Sequence, residues 1–152
     1  MIRRTPEEMR SYLQEVQEEL LMMREIDNLE MYRVLTDLGK ELQGLGDEER
    51  TDENYVYGCV SNVYIADDYE DGSISFRGVS DAHVIRGYLA VLCHALSGLT
   101  PEEVLSESRE AVERFARETD LKASLTPNRA NAFGNIYQLM REKAQHRLQN
   151  RS

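Results

Sequence analysis

Two cysteines, three histidines and an excess of acids are the residues of this chain that could do chemistry. Cys59 stands in Tyr57-Gly58-Cys59-Val60-Ser61-Asn62. Gly58 can adopt a backbone conformation that other residues avoid, turn the chain sharply and present the next side chain. A thiol on a tight turn is accessible, and access is one of two requirements for thiol reactivity. The other is thiolate content. No Lys, Arg or His lies between Thr51 and Phe76 to favour a thiolate, and Asp52, Glu53, Asp67 and Asp68 would raise the Cys59 pKa if they lay close. Spacing alone leaves both an ordinary strand cysteine and a reactive turn cysteine open. Cys93 falls inside the most apolar segment, where a free cysteine acts as a small buried hydrophobe. His83, His94 and His146 do not fall at metal-ligand spacing with each other or with a cysteine, so no metal is expected. His94 follows Cys93 directly and so points to the surface or its edge. Asp67-Asp68-Tyr69-Glu70-Asp71-Gly72 crowds acids as a calcium loop does, but it lacks the glycine and distal glutamate of an EF-hand and reads as a solvated hairpin. Phosphate-cradling glycine loops, a nucleophile elbow and a Ser/His/Asp set are missing, so no bound cofactor is expected.

The elements that position these residues belong to one domain, residues 1–152. A chain of 152 residues is long enough for its own core, and 41% hydrophobic with 30% charged residues is a globular composition. Two cysteines cannot staple a disulfide scaffold. The formal net charge of −10 repels phosphate backbones and anionic lipid, so neither a nucleic acid nor a membrane surface is an expected partner. The charge is uneven, with a net −8 over residues 1–53 and +1 over residues 101–152. Met1–Arg10 has arginines but no apolar run behind them, and Tyr88–Leu96 is too short to span a bilayer. The expected compartment is the cytoplasm, with both thiols reduced.

Leu13, Val16, Leu20 and Met23 are spaced 3, 4 and 3 apart, one helical stripe, and Asp27-Asn28 breaks it. Leu29, Tyr32, Leu35, Leu38 and Leu42 continue with helical spacing, with Gly39 weakening the helix toward its end. The middle changes period: Asn62–Ala66 and Ser73–Gly78 read as antiparallel strands joined through the Asp71-Gly72 hairpin signal, and Tyr55-Val56-Tyr57 as a short third strand. Helix resumes from Asp81 with Ser80 as N-cap. Val84, Ile85, Tyr88, Leu89, Leu92, Cys93 and Leu96 mark it as the central buried helix, and Gly98 stops it. Thr100-Pro101-Glu102-Glu103 starts a helix to about Arg117. Thr126-Pro127 starts the last, with Phe133, Ile136, Met140 and Ala144 on one stripe and fraying from about Gln145. The fold class is α+β: a small three-stranded antiparallel sheet packed against helices.

The segment Arg50–Tyr64, with Gly58-Cys59-Val60-Ser61-Asn62-Val63-Tyr64 at its end, resembles the acceptor-cysteine segment of the SufE sulfur-acceptor family, whose pattern is Gly-Cys-x-Ser-x-Val and an aromatic. Ser80–Gly87 with Gly98–Val104 resembles the family's central helix and the helix start after it. Leu125-Thr126-Pro127-Asn128-Arg129-Ala130-Asn131 resembles its final helix start. The blocks fall in the family's order between about Leu29 and Met140. Departures are Val60 and Asn62 where the family usually has Gln, Tyr57 for Pro, Tyr64 for Trp, Asn128 for Ser and Ala132-Phe133 for Gly-Leu; they bear on partner choice. The N-terminal helix, about residues 6–26, is longer than the family's. It either packs back or mediates self-association, so a monomer or weak homodimer is expected.

The resemblance implies a SufE/IscU-like fold and an activity. Cys59 would accept sulfane sulfur from a PLP-dependent, SufS-type cysteine desulfurase, stimulate it, and pass the sulfur toward an iron–sulfur scaffold. The chain itself would bind no cofactor and no metal. Gly58, Val60, Ser61 and Asp81 would lie at the acceptor loop or the partner contact. Arg129 would either stabilise a persulfide anion or make a structural ion pair. A resting thiol pKa near the ordinary value, held there by the surrounding acids, would protect Cys59 from oxidation. The alternative is an adaptor of the same fold that binds a desulfurase or scaffold without carrying sulfur.

Overall fold

The computed structural model describes residues 2–121 and 131–150. Helix α1 spans Pro6–Ile26. It opens on a reciprocal cap in which the Thr5 hydroxyl accepts from the Glu8 amide and the Glu8 carboxylate accepts from the Thr5 amide, both at 3.1 Å. Met9, Leu13, Val16 and Leu20 form its buried stripe. The helix packs back on α2 (Asn28–Lys40), α3 (His83–Leu96) and α5 (Arg109–Glu118). That stripe is consumed inside the fold and is not a surface for self-association. Asp27 ends α1 and caps α2, its carboxylate accepting from the Leu29 amide at 2.9 Å.

The register of α2 differs from the spacing-based expectation. Its buried residues are Met31, Leu35 and Gly39, while Leu29 is 65% and Tyr32 42% exposed. Gly39 does not merely weaken the helix. A Cβ there would lie 2.9 Å from the Arg86 Cβ, and one on Gly87 would lie 2.4 Å from the Leu35 carbonyl oxygen. Two glycines thus bring the backbones of α2 and α3 into contact, and Met31 and Leu35 turn inward with them.

Strands β1 (Val63–Glu70) and β2 (Ser73–Ser80) form a two-stranded antiparallel sheet, paired from Val63↔Ser80 to Glu70↔Ser73. The hairpin is tighter than expected: β1 runs through the acids to Glu70, and Asp71 and Gly72 turn the chain at φ 52° and 83°. The expected third strand does not form. The 3-10 turn Asp52–Asn54 ends just before Tyr55, which makes a single bridge to Tyr64, and Gly58 at φ 89° turns the chain away before pairing can extend. Along β1, Val63 and Ile65 face the core with Ile74, Phe76 and Gly78 of β2.

Ser80 ends β2 rather than capping α3. It accepts from the Ala82 amide at 3.2 Å, and the helix starts at His83. Central α3 packs against α1, α2, β2 and α6 (Ala132–Asn150), and buries Leu89, Val91, Leu92, Cys93, Ala95 and Leu96. Gly98 at φ 96° ends this segment, and Thr100 caps the next helix with Glu103, as expected. The single helix expected to Arg117 is instead α4 (Pro101–Glu107) and α5, divided at Ser108. The buried Ser108 hydroxyl bonds the Val104 carbonyl and lies 2.7 Å from the Tyr137 hydroxyl, a side-chain competitor for the helical ladder. Helix α6 spans Ala132–Asn150, with Phe133, Ile136, Met140 and Ala144 all buried. It remains helical past Gln145, where Arg147 donates to Asp67 at 2.7 Å. Thr126-Pro127 lies outside the described residues.

Candidate functional site

The site is a short loop closed by the hairpin. The Val56 amide donates to the Val63 carbonyl at 2.9 Å, and Val56 is buried. Residues 57–62 therefore leave the core and return across one hydrogen-bonded neck. Tyr57 and Val60 stand 67% and 76% exposed on the loop, and the Tyr55 ring meets those of Tyr57 and Tyr64 edge-on at 4.8 and 5.2 Å. Gly58 supplies the positive φ that bends this loop. Cys59, next in the chain, turns back, half-buried and packed against the core.

Both arms of the loop are tied down by charge. Arg77 on β2 holds the Glu49 carboxylate through two bonds, at 2.8 and 2.5 Å, and Asp68 at 2.9 Å. The pairing keeps the Glu49 carboxyl low, at about 2. The Asn54 amide donates to the Glu49 carbonyl at 2.8 Å. Lys143 on α6 donates to the Asn54 side chain at 2.6 Å and sits 3.7 Å from Asp67. The acids flanking Cys59 in sequence are thus partly engaged with arginine and lysine and leave the thiol alone.

Burial pushes the Cys59 thiol above its ordinary range, and a bond from the Asn135 amide to the sulfur, at 3.9 Å, works the other way. The expectation of a near-ordinary pKa set by nearby acids is corrected: desolvation raises it. Cys93 is buried and its thiol is pushed up to about 12, also by desolvation.

Of the residues singled out from sequence, Gly58, Cys59, Val60 and Ser61 share the loop. Val63 pairs with Ser80, so exposed Asp81 leaves β2 at the end where the loop enters β1. Arg129 lies outside the described residues. The histidines stay apart: His94 is exposed beside Arg4 and Tyr12, His83 contacts Arg86, and His146 contacts Asn150. Among the described residues no three His, Cys, Asp or Glu side chains cluster to hold a metal, and no helix is long and apolar enough to cross a membrane. Sequence reasoning missed Asn135 and Lys143. The available signal for Asn135 is a polar residue set between Phe133 and Ile136 of the apolar stripe.

Fold and loop together define a class: a small α+β domain that carries a cysteine on a glycine turn at the open end of a hairpin. The family model for SufE, described as an Fe-S metabolism associated domain, matches residues 14–144, and the chain belongs to the SufE family. That membership ties it to iron–sulfur metabolism. A SufE-like protein of Synechocystis sp. is 42% identical over 80% of this chain and 74% of its own length. SufE-like proteins of Rhizobium etli and Rhizobium meliloti are 36% and 33% identical, over 76% and 77% of this chain and 79% and 84% of their own. The solution structure of a hypothetical protein from Thermus thermophilus shares the fold with a TM-score of 0.59 at 16% identity, covering 89% of this chain and 96% of that one.

Proposed function

We propose that the protein is a persulfide carrier whose acceptor is Cys59. It takes sulfane sulfur from a PLP-dependent, SufS-type cysteine desulfurase, stimulates that enzyme by clearing its persulfide, and hands the sulfur toward iron–sulfur cluster assembly. The observation that carries this reading is the loop itself: a free thiol on a turn held at its neck, flanked by exposed Tyr57 and Val60. Exposed apolar side chains around a reactive atom suit a protein partner that excludes water on docking. Gly58, Val60, Ser61 and Asp81 form the partner-facing rim. Arg129 would either supply a cation for the persulfide anion or make a structural ion pair.

The step is a transpersulfuration, with the balance of thiol–disulfide exchange. The Cys59 thiolate attacks the outer sulfur of the partner's persulfide and forms a new S–S bond. The bond between the partner's two sulfurs breaks, and the partner's cysteine leaves as a thiolate that takes up the proton Cys59 lost. No net oxidation occurs and this chain supplies no cofactor. The setting is the cytoplasm, where both thiols stay reduced. A resting thiol kept protonated by burial resists oxidation until the partner orients it.

The test is intact-mass analysis after incubation with a SufS-type desulfurase and cysteine, with peptide mapping. One added sulfur on Cys59, lost in Cys59→Ser and without the desulfurase, supports the carrier. An unmodified protein that still binds the desulfurase establishes the adaptor instead.

A further inference from the structure

We propose that Asn135 is a positioning residue for the sulfur of Cys59: its side-chain amide holds the sulfur in its half-buried seat and steadies it whenever it carries negative charge. The inference rests on the carrier reading above. Asn135 lies 76 positions away in sequence, yet its Nδ2 donates to the Cys59 Sγ at 3.9 Å. The side chain is buried on the first turns of α6, so its amide is held by the fold. Gly58 opens its route. A Cβ on Gly58 would lie 3.1 Å from that same Nδ2, so the residue that bends the loop also leaves room for the donor.

The surroundings make the donor matter. The loop and strand from Thr51 to Phe76 contain no Lys, Arg or His. Among the described residues, the charged groups on the elements around the loop are exposed or engaged elsewhere: Asp52 and Glu53 on the 3-10 turn and Asp81 after β2 are exposed, and Lys143 on α6 is bound to Asn54 and Asp67. Burial and the Asn135 bond are what displace the thiol's titration, in opposite directions. A carboxamide does not titrate, so it donates at every pH and brings no charge of its own into the half-buried seat.

Both halves of the carrier cycle place charge on this one sulfur. In loading, the Cys59 thiolate attacks the partner's outer sulfur, and the partner's inner sulfur leaves. In discharge, a receiving thiolate attacks the outer sulfur of Cys59–S–SH, the S–S bond breaks, and the Cys59 Sγ leaves as a thiolate. A donor on Sγ enlarges the thiolate population for the first step and improves the leaving group for the second. It also lowers the intrinsic nucleophilicity of the thiolate. Each tenfold loss of thiolate on removing the donor therefore slows attack only about threefold below the thiol pKa, and speeds it about threefold above it.

The experiment measures the alkylation rate of Cys59 by iodoacetamide across its titration, in the wild type, Asn135→Ala, Asn135→Asp and Gly58→Ala. The expected result is an upward shift of the midpoint in Asn135→Ala, with rates below the wild type at neutral pH and above it on the alkaline plateau. Asn135→Asp, an acceptor-only carboxylate beside the sulfur, shifts the midpoint further. Gly58→Ala shifts it the same way by pushing the amide aside, and it stands in if the buried Asn135 variants do not fold. Loss of packing alone would change the melting temperature without reversing the order of rates on the two sides of the midpoint. Folded variants that keep the wild-type midpoint overturn the inference. Loading by a SufS-type desulfurase and release to a small thiol should both slow in Asn135→Ala at neutral pH. Should the wild type take up no sulfur at all, the carrier reading fails, whereas the alkylation arm still decides whether Asn135 governs the thiol.

Discussion

Replacing Gly87 by alanine sets two effects of similar size against each other, and the structure decides the sign. Glycine inside a helix is less favourable than alanine by about 1 kcal/mol, so propensity alone expects stabilisation. The new Cβ, however, would lie 2.4 Å from the Leu35 carbonyl oxygen and 2.9 Å from the Leu35 Cβ. Real Cβ atoms essentially never come closer than 3.0 Å to another heavy atom, and about 3.3 Å is an ordinary carbon–carbonyl distance, so α2 and α3 must part by about 0.6–0.9 Å. The obstacle is main chain and cannot rotate away. The facing Gly39 leaves no slack either, because its own position is within 3.0 Å of the Gly87 nitrogen once a Cβ is built on it. Overpacking of this kind costs about 1–3 kcal/mol, and a gap approaching 1 Å forfeits a quarter to a half of the dispersion between the atoms it separates. Less the propensity gain of about 1 kcal/mol, the expected net loss is about 1 kcal/mol, or roughly 2–4 °C in melting temperature for a domain of this size. Thermal and urea unfolding followed by circular dichroism would measure it. Gly44→Ala, where nothing lies within 4 Å of the added carbon, is the control and should stay within about 0.5 kcal/mol of the wild type. A higher melting temperature for Gly87→Ala would refute the close-approach argument.

Two further expectations concern titrating groups. A disulfide reagent at pH 8 should consume one thiol per native chain, Cys59, because Cys93 with a pKa of about 12 is thiolate in about one molecule in ten thousand; two equally fast thiols would contradict the packing of α3. The Glu49–Arg77 pair should contribute stability above the ordinary carboxyl pKa of about 4.5 and lose it as pH falls through about 2, because the folded state holds the carboxyl ionised where the unfolded chain does not. The urea midpoint of Glu49→Gln should therefore lie below the wild type near neutrality and converge with it toward pH 2; a constant offset would show that the pairing is not the cause.

Local chemistry was legible along the chain. The stripe Leu13–Val16–Leu20, the Asp27 break, the Asp71-Gly72 turn, the Thr100 cap and the Gly58-Cys59 turn each depend on residues within a few positions of one another, which is the range over which periodicity and backbone sterics act. The ordered blocks were enough to reveal the SufE family. Other features depended on what each element packs against. The buried face of α2 was misjudged because Leu29 and Tyr32 fit a helical period as well as Met31 does; only the backbone contact through Gly39 and Gly87 selects the inner face. The third strand was lost to a turn whose direction no alternation pattern encodes. The acids around Cys59 looked like its electrostatic environment, but Arg77, Lys143 and Arg147 engage Glu49, Asp67 and Asp68, and burial dominates instead.

By itself, then, the sequence determined the α+β class, the order of the main helices and the hairpin, and the cysteine on its turn, because those follow from short-range spacing, and it revealed the family through blocks in order along the chain. The tertiary structure alone decided which residues meet that cysteine. Asn135 reaches Cys59, and Lys143 reaches Asn54, only because the apolar stripe of α6 is buried in the same core as β1 and β2, bringing polar side chains of the same helix to the loop. Contacts across so many residues are set by how the helices and hairpin share one core, and no local pattern in the chain carries that information.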